Sequence, residues 1–113
     1  LFAIIAPVSN FTGKENEMLQ QITIQTTDAE RLKPLIQSAI RFQLEDVEHG
    51  IQLTKERLAA FEKKYDISTA EFERRFHPGD LEETLEFIEW EGEIETLQLL
   101  EEKKSVIQSA HIR

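Results

Sequence analysis

The sequence predicts a mainly α-helical protein, a long antiparallel helical hairpin with a short bridging helix and one N-terminal β-strand. Two long segments carry apolar residues at helical spacing, and a short segment with its own helix-capping pattern lies between them. A brief stretch of alternating polar and β-branched residues precedes all three. The 113 residues suffice for one modest core, so we expect residues 18–113 to form the hairpin domain with its N-terminal strand.

The chain ahead of the hairpin has no periodic pattern. Residues 1–17 include Pro, Ser, Asn and Gly, so we expect a flexible tail or a start-site extension before Met18. The alternative is a short apolar segment that docks on a neighbouring chain. Residues 21–26 alternate as a half-buried strand does. Because a lone strand leaves its backbone groups unpaired, we expect it to pair with another chain or to dock on an edge elsewhere.

The first long helix is predicted from about Pro34 to Lys64, with apolar residues recurring at steps of three, four and seven on one face. Thr27 to Glu30 matches a capping box. A proline in a helix interior, however, clashes with the carbonyl four residues back. We therefore expect a turn or short helix to Leu32, a break, and the main helix from Pro34 onwards.

Two further helix starts follow. Ser68 to Glu71 forms a second capping box, and the short helix that it begins ends at the Pro78-Gly79 turn. We expect Asp80 to cap the last helix, which is predicted over residues 81–109.

The last helix carries two apolar stripes, which we interpret as adjacent. One comprises Leu85, Ile88, Leu99 and Val106 with Gly92 between them, and the other comprises Phe87, Trp90, Ile94 and Leu97. We expect an apolar face this wide to pack against two neighbouring elements. The first is the long helix folded back against it, and the second is another subunit or a different protein.

The composition and spacing exclude several kinds of active site. Without Cys there is no thiolate zinc site and no thiol nucleophile. His49, His77 and His111 stand in separate segments without metal-ligand spacing or a partnered nucleophile. Only Asp46-x-x-His49 resembles the Glu-x-x-His pairs of di-iron bundles. We predict no catalytic residue, no cofactor and no metal site; a carboxylate metal enzyme is the alternative.

The net charge of −9 narrows the class of partner. Binding to nucleic acid alone or to an anionic membrane is disfavoured, because both need clustered Lys and Arg. A basic protein partner is favoured. No run approaches the ~20 apolar residues of a membrane span, and the lack of Cys fits a reducing compartment, so we expect a cytoplasmic protein.

The predicted contact surface lies on the last helix. Its residues are Phe87, Trp90, Ile94 and Leu97, flanked by Glu86, Glu89 and Glu93. Trp is enriched at the centre of interfaces; the alternative for Trp90 is core packing against the middle helix. Gly92 costs roughly 1 kcal/mol relative to Ala in a helix. This cost indicates close approach of another backbone, within the hairpin or across an interface, unless the glycine is neutral.

Several motifs resemble those of one family. They are the stretch Lys64–Phe72, then Phe76, Gly79-Asp80-Leu81 and Phe87-Ile88-Glu89-Trp90. Together they resemble a family of small prokaryotic helical proteins with a Y-G-M-S-x-x-E-F turn, a G-E-L turn and a helix bearing E-W. The similarity runs from about Ile22 to Ile107. This sequence has Asp66 where that family usually has Gly, and no functional residues carry over.

The resemblance implies an antitoxin-like role, since many members of this family are encoded beside small proteins similar to TumE-family toxins. We expect a homodimer that acts as a protein-binding module and sequesters a cognate, basic toxin-like protein. The alternative function is a self-associating structural coiled-coil protein with no catalytic activity.

Overall fold

A computed structural model describes residues 2–4 and 19–112 of the chain. The elements in chain order are β1 (Phe2–Ile4), β2 (Thr23–Gln25), α1 (Ala29–Tyr65), α2 (Thr69–Phe76) and α3 (Leu85–Gln108). The long helices α1 and α3 pack as a hairpin with the short α2 between them, so the predicted fold class is confirmed. None of the helices in this part of the chain combines the length and apolar character that crossing a bilayer requires.

The chain divides into two compact units, residues 1–44 with 106–113 and residues 45–105. In the first unit, β1 and β2 form an antiparallel pair in which Ala3 is opposite Ile24. The predicted strand therefore finds its hydrogen-bonding partner within the same chain, and it no longer argues for association with another subunit. Of the residues predicted to form a tail, 2–4 form β1, while residues 5–17 lie outside the described part.

Helix α1 begins at Ala29, ahead of the start predicted at Pro34, and the break predicted there was wrong. Asp28 caps the helix, because its Oδ1 accepts a hydrogen bond from the Arg31 amide at 3.1 Å. Pro34 lies inside the helix and removes the donor that the Glu30 carbonyl would otherwise use. Since Glu30 is exposed in the first turn, water can satisfy that carbonyl and the helix continues.

The core of the second unit is built from aromatic rings on three different helices. Phe72 of α2 and Trp90 of α3 are completely buried, at 0% exposure, and their rings stack with centroids 4.1 Å apart. Phe61 of α1 stacks on Trp90 at 5.3 Å. Leu58 and Ile94 complete the buried cluster. All three helices of this unit are therefore fixed against one aromatic stack.

Away from the stack, α1 and α3 approach each other closely. A Cβ added to Gly50 would lie 3.2 Å from Leu100 Cδ1, so the glycine allows a short distance between the helices. Val47, Ile51 and Thr54 are buried on the same face of α1. Gly50 and Thr54, which interrupt the apolar pattern in the sequence, thus belong to the packed surface.

The predicted cap of α2 is confirmed, whereas that of α3 is displaced. Ser68 Oγ accepts from the Glu71 amide at 3.1 Å. Helix α3 begins at Leu85, and its cap is Thr84, whose Oγ1 accepts from the Phe87 amide at 3.1 Å. The start predicted at Leu81 was wrong: Leu81 packs against the core cluster as part of the non-helical link ahead of Thr84.

Helix α1 ends where the chain takes a left-handed conformation. Asp66 follows the last helical residue and has a φ of 55°. L-residues disfavour this region, and Asp tolerates it better than most but less well than Gly.

We expect Asp66→Gly to raise the free energy of unfolding by about 1 kcal/mol and Asp66→Val to lower it by a similar amount. The reason is that Gly adopts a positive φ more readily than Asp, whereas β-branched Val adopts it less readily. Urea denaturation followed by circular dichroism measures both. Asp80→Gly is the control, since exposed Asp80 does not have a positive φ. Equal stabilities of the Gly and Val variants at position 66 would contradict the assignment.

Candidate functional site

The apolar residues predicted to contact a partner lie in the core of the second unit. Trp90 and Ile94 are buried, and Phe87 and Leu97 are half-buried against the same cluster. In the folded chain these four side chains face α1 and α2. This placement matches the alternative interpretation of Trp90, core packing against the middle helix.

The polar group of Trp90 is satisfied inside the protein. Its indole N–H donates to Thr69 Oγ1 at 3.2 Å, and the amide of Thr69 donates to Glu62 Oε2 at 2.6 Å. A chain of hydrogen bonds therefore links α3 to α2 and α2 to α1. Because buried indoles need such a partner, the contact fixes the orientation of the Trp90 ring.

Glu86 fastens the start of α3 to the end of α1. Its Oε2 accepts from the Tyr65 hydroxyl at 2.7 Å and from Lys64 Nζ at 2.8 Å. The hydrogen bonds from Lys64 and Tyr65 lower the pKa of Glu86 below its ordinary value. The hydrogen bond to Glu86 raises the pKa of both Lys64 and Tyr65. Glu86 thus has a structural role within the hairpin.

The two other predicted acidic contacts differ in their surroundings. Glu93 forms an ion pair with Arg57 of α1, with Oε1 3.5 Å from Nη1. Glu89 is exposed. Of the seven residues predicted to contact a partner, Glu89 is the only one that is exposed.

The second apolar stripe of α3 lies in solvent. Leu85, Ile88 and Leu99 are 73%, 50% and 66% exposed, and Gly92 lies between them with nothing within 4 Å of an added Cβ. We call these four residues the exposed stripe. At about 100° per residue, the exposed stripe lies opposite the face that carries Trp90. The two stripes, interpreted from sequence as adjacent, are therefore on opposite faces of the helix.

Along the exposed stripe as far as Glu102 the charges of α3 are all negative, and exposed Lys103 follows one turn after Leu99. From Asp80 to Glu102 the sequence contains no Lys, Arg or His. Glu89 and Glu95 are exposed, and helical spacing puts them on the two sides of the stripe. The surface of α3 is therefore an apolar strip between carboxylates.

A second group of side chains meets where α2 ends beside α3. His77 Nε2 lies 3.7 Å from Glu73 Oε2 and 3.4 Å from Glu91 Oε1, and the three ligand atoms all lie within 4.8 Å of one another. Burial raises the pKa of Glu91, while the charge of His77 opposes that shift. One imidazole nitrogen and two carboxylate oxygens are a donor set that can hold a divalent metal.

This group of side chains was not predicted from the sequence. A local signal was present, because Glu73 and His77 are four residues apart and such residues share one face of a helix. The Glu-x-x-His pairs of di-iron bundles have a spacing of three, so that motif does not match this pair. Glu91 is distant in sequence and joins the pair only through the packing of α2 on α3.

A pH-dependent prediction follows from Glu86. Its lowered pKa contributes stability that is present above the ordinary carboxyl pKa of 4.5 and is lost as the pH falls through the lowered value. The raised pKa of Tyr65 contributes stability that is present below the ordinary 10.0 and is lost as the pH rises through the raised value.

We therefore expect Glu86→Gln to be less stable than the native chain between these two limits, with the difference shrinking on both sides. Urea denaturation at a series of pH values measures it. Glu89→Gln, an exposed change on the same helix, is the control and should leave the pH profile unaltered. Parallel profiles for the native chain and Glu86→Gln would contradict the role of Glu86.

In comparisons with known proteins, no protein-family model, curated protein or solved structure matches the chain. The resemblance to the antitoxin-like family stays a prediction.

Proposed function

We propose that this chain is an antitoxin-like protein-binding module, and that it sequesters a basic partner protein on the exposed stripe of α3. The observation that carries the proposal is the combination found there. Leu85, Ile88 and Leu99 stand in solvent on a helix surface whose charges from Asp80 to Glu102 are all negative. An apolar strip between carboxylates suits a partner that has a hydrophobic groove with basic residues along its rim.

The spacing of the exposed stripe supports helix-in-groove binding. Leu85, Ile88, Gly92 and Leu99 follow one another at steps of three, four and seven, which is how anchor residues are arranged on a helix that inserts into a groove. The opposite face of α3 is held by the aromatic core. The helix is therefore already formed before it meets a partner, and binding does not carry the cost of ordering it.

The charge supports a basic protein as the occupant. Glu89 and Glu95 flank the exposed stripe, and acidic surfaces speed encounter with basic partners and disfavour acidic ones. The family resemblance supplies the class of partner: a cognate toxin similar to TumE-family proteins. The proposed place of action is the cytoplasm.

Self-association is the second candidate function, and one observation favours it. Leu85, Gly92 and Leu99 are spaced by seven residues, the repeat of a coiled coil. Two copies facing each other through this surface would, however, bring Glu89 and Glu95 of one chain near the same acidic set of the other. Like charges across an interface are costly, so the basic partner is the better occupant.

The test is co-expression of the chain with the product of the adjacent gene, followed by co-purification and titration calorimetry. We expect a complex, and we expect the double change Leu85→Ser with Leu99→Ser to weaken it at least tenfold, because two solvent-facing anchors are lost while the core is untouched. Phe42→Ser is the matched control: it removes an exposed apolar side chain from α1 and should leave binding unchanged.

Sedimentation of the isolated chain separates the two functions. A monomer that binds the co-expressed protein supports sequestration. A dimer that the double leucine change converts to monomer, without any complex with the neighbouring gene product, would replace the proposal with self-association. Unchanged binding by the double variant would contradict the assignment of the exposed stripe.

Gly92 allows an independent prediction. Gly92→Ala should raise the free energy of unfolding of the free chain by about 1 kcal/mol, because Ala favours helix and nothing lies within 4 Å of the added Cβ. The same change should weaken the complex if a partner approaches the backbone there. Gly50→Ala is the control for the first effect: its Cβ would lie 3.2 Å from Leu100, so its gain should be smaller. Equal gains at both positions would contradict the exposure of Gly92.

A further inference from the structure

The group formed by Glu73, His77 and Glu91 lies outside the exposed stripe and has no part in the proposed binding of a protein. Glu73 and His77 lie one helical turn apart at the end of α2, and Glu91 approaches them from α3. We propose that these three side chains form a binding site for a divalent transition-metal ion, with zinc as the representative ion.

The distances fit ligands that share one ion. Zinc binds imidazole nitrogen at about 2.0–2.1 Å and carboxylate oxygen at about 2.0–2.2 Å, so two ligand atoms on a tetrahedral ion are roughly 3.4 Å apart. His77 Nε2 lies 3.4 Å from Glu91 Oε1 and 3.7 Å from Glu73 Oε2. The half-buried Glu73 side chain is long and flexible enough to close the third edge, which is within 4.8 Å.

The surroundings of Glu91 give a second reason to propose a metal ion at this position. Its Oε2 is buried and has no hydrogen-bond partner among the described residues. A buried carboxylate oxygen without a partner is costly, and a cation coordinated by both oxygens of Glu91 would satisfy it. Within the same part of the chain, neither Glu73 nor Glu91 forms an ion pair with Lys or Arg, since the neighbouring Arg74 and Arg75 bind Glu71.

The donor set decides the class of ion. Mg²⁺ and Ca²⁺ are bound by oxygen ligands, whereas an imidazole together with carboxylates suits zinc and related transition metals. Three protein ligands leave a further position for water. Because the ligands come from the end of α2 and from α3, a bound ion would connect these two helices across the non-helical link that contains Leu81.

The competing explanation is a purely structural contact, in which His77 bridges the two carboxylates at the end of α2. That arrangement stabilises the fold without binding metal. The two explanations differ in what zinc does to the purified protein.

Titration of the metal-free chain with zinc chloride, by calorimetry and by thermal unfolding, tests the site. We expect one zinc ion per chain and a rise in the unfolding midpoint, since a ligand that binds only the folded state stabilises it. His77→Ala and Glu91→Gln should each weaken zinc binding by at least about tenfold. His49→Ala and Glu89→Gln remove exposed side chains of the same types elsewhere and should bind zinc as the native chain does.

Helicity by circular dichroism establishes that each variant is folded before its affinity is compared. Absence of zinc binding by the native chain would overturn the proposal in favour of a purely structural contact between His77 and the two carboxylates. Binding that survives both His77→Ala and Glu91→Gln would also overturn it, because the ion would then sit on other surface groups.

Discussion

The stack of Phe61, Trp90 and Phe72 is the contact on which the second unit depends, because it is the place where α1, α2 and α3 meet. Centroid distances of 5.3 and 4.1 Å on either side of Trp90 leave no freedom for α3 to rotate about its axis. Once Trp90 and Ile94 turn inwards, helical geometry forces the opposite face outwards. The solvent exposure of Leu85 and Leu99 is therefore a consequence of the core.

Polar contacts between the helices contribute less to the packing of the second unit than the aromatic stack does. Arg57 and Glu93 pair across α1 and α3, as do Glu48 and Lys104 at 3.3 Å. Exposed pairs of this kind contribute little free energy. The hydrogen bond from Trp90 to Thr69 matters more, because it connects the buried indole to the first turn of α2. The ion pairs therefore add little, and the aromatic rings supply most of the stabilisation.

The sequence predicted what depends on local pattern, and it was wrong where distant contacts or solvent decide. The hairpin and the Ser68 cap follow from periodicity and capping chemistry. The break at Pro34 did not form because the carbonyl that loses its donor is in a solvated first turn. Apolar positions on α3 were identified correctly, but the pattern does not say which stripe is buried; the rings of α1 and α2 decide that. Glu91 meets His77 only through tertiary packing.

Helix α3 has a buried face and an exposed face on opposite sides of its axis. Side chains that face Trp90's neighbours must keep their volume, since interiors tolerate few changes of shape. Leu85 and Leu99, on the opposite face, are 73% and 66% exposed. Substitutions at these exposed positions can therefore change the surface of α3 while the aromatic core beneath it keeps its packing.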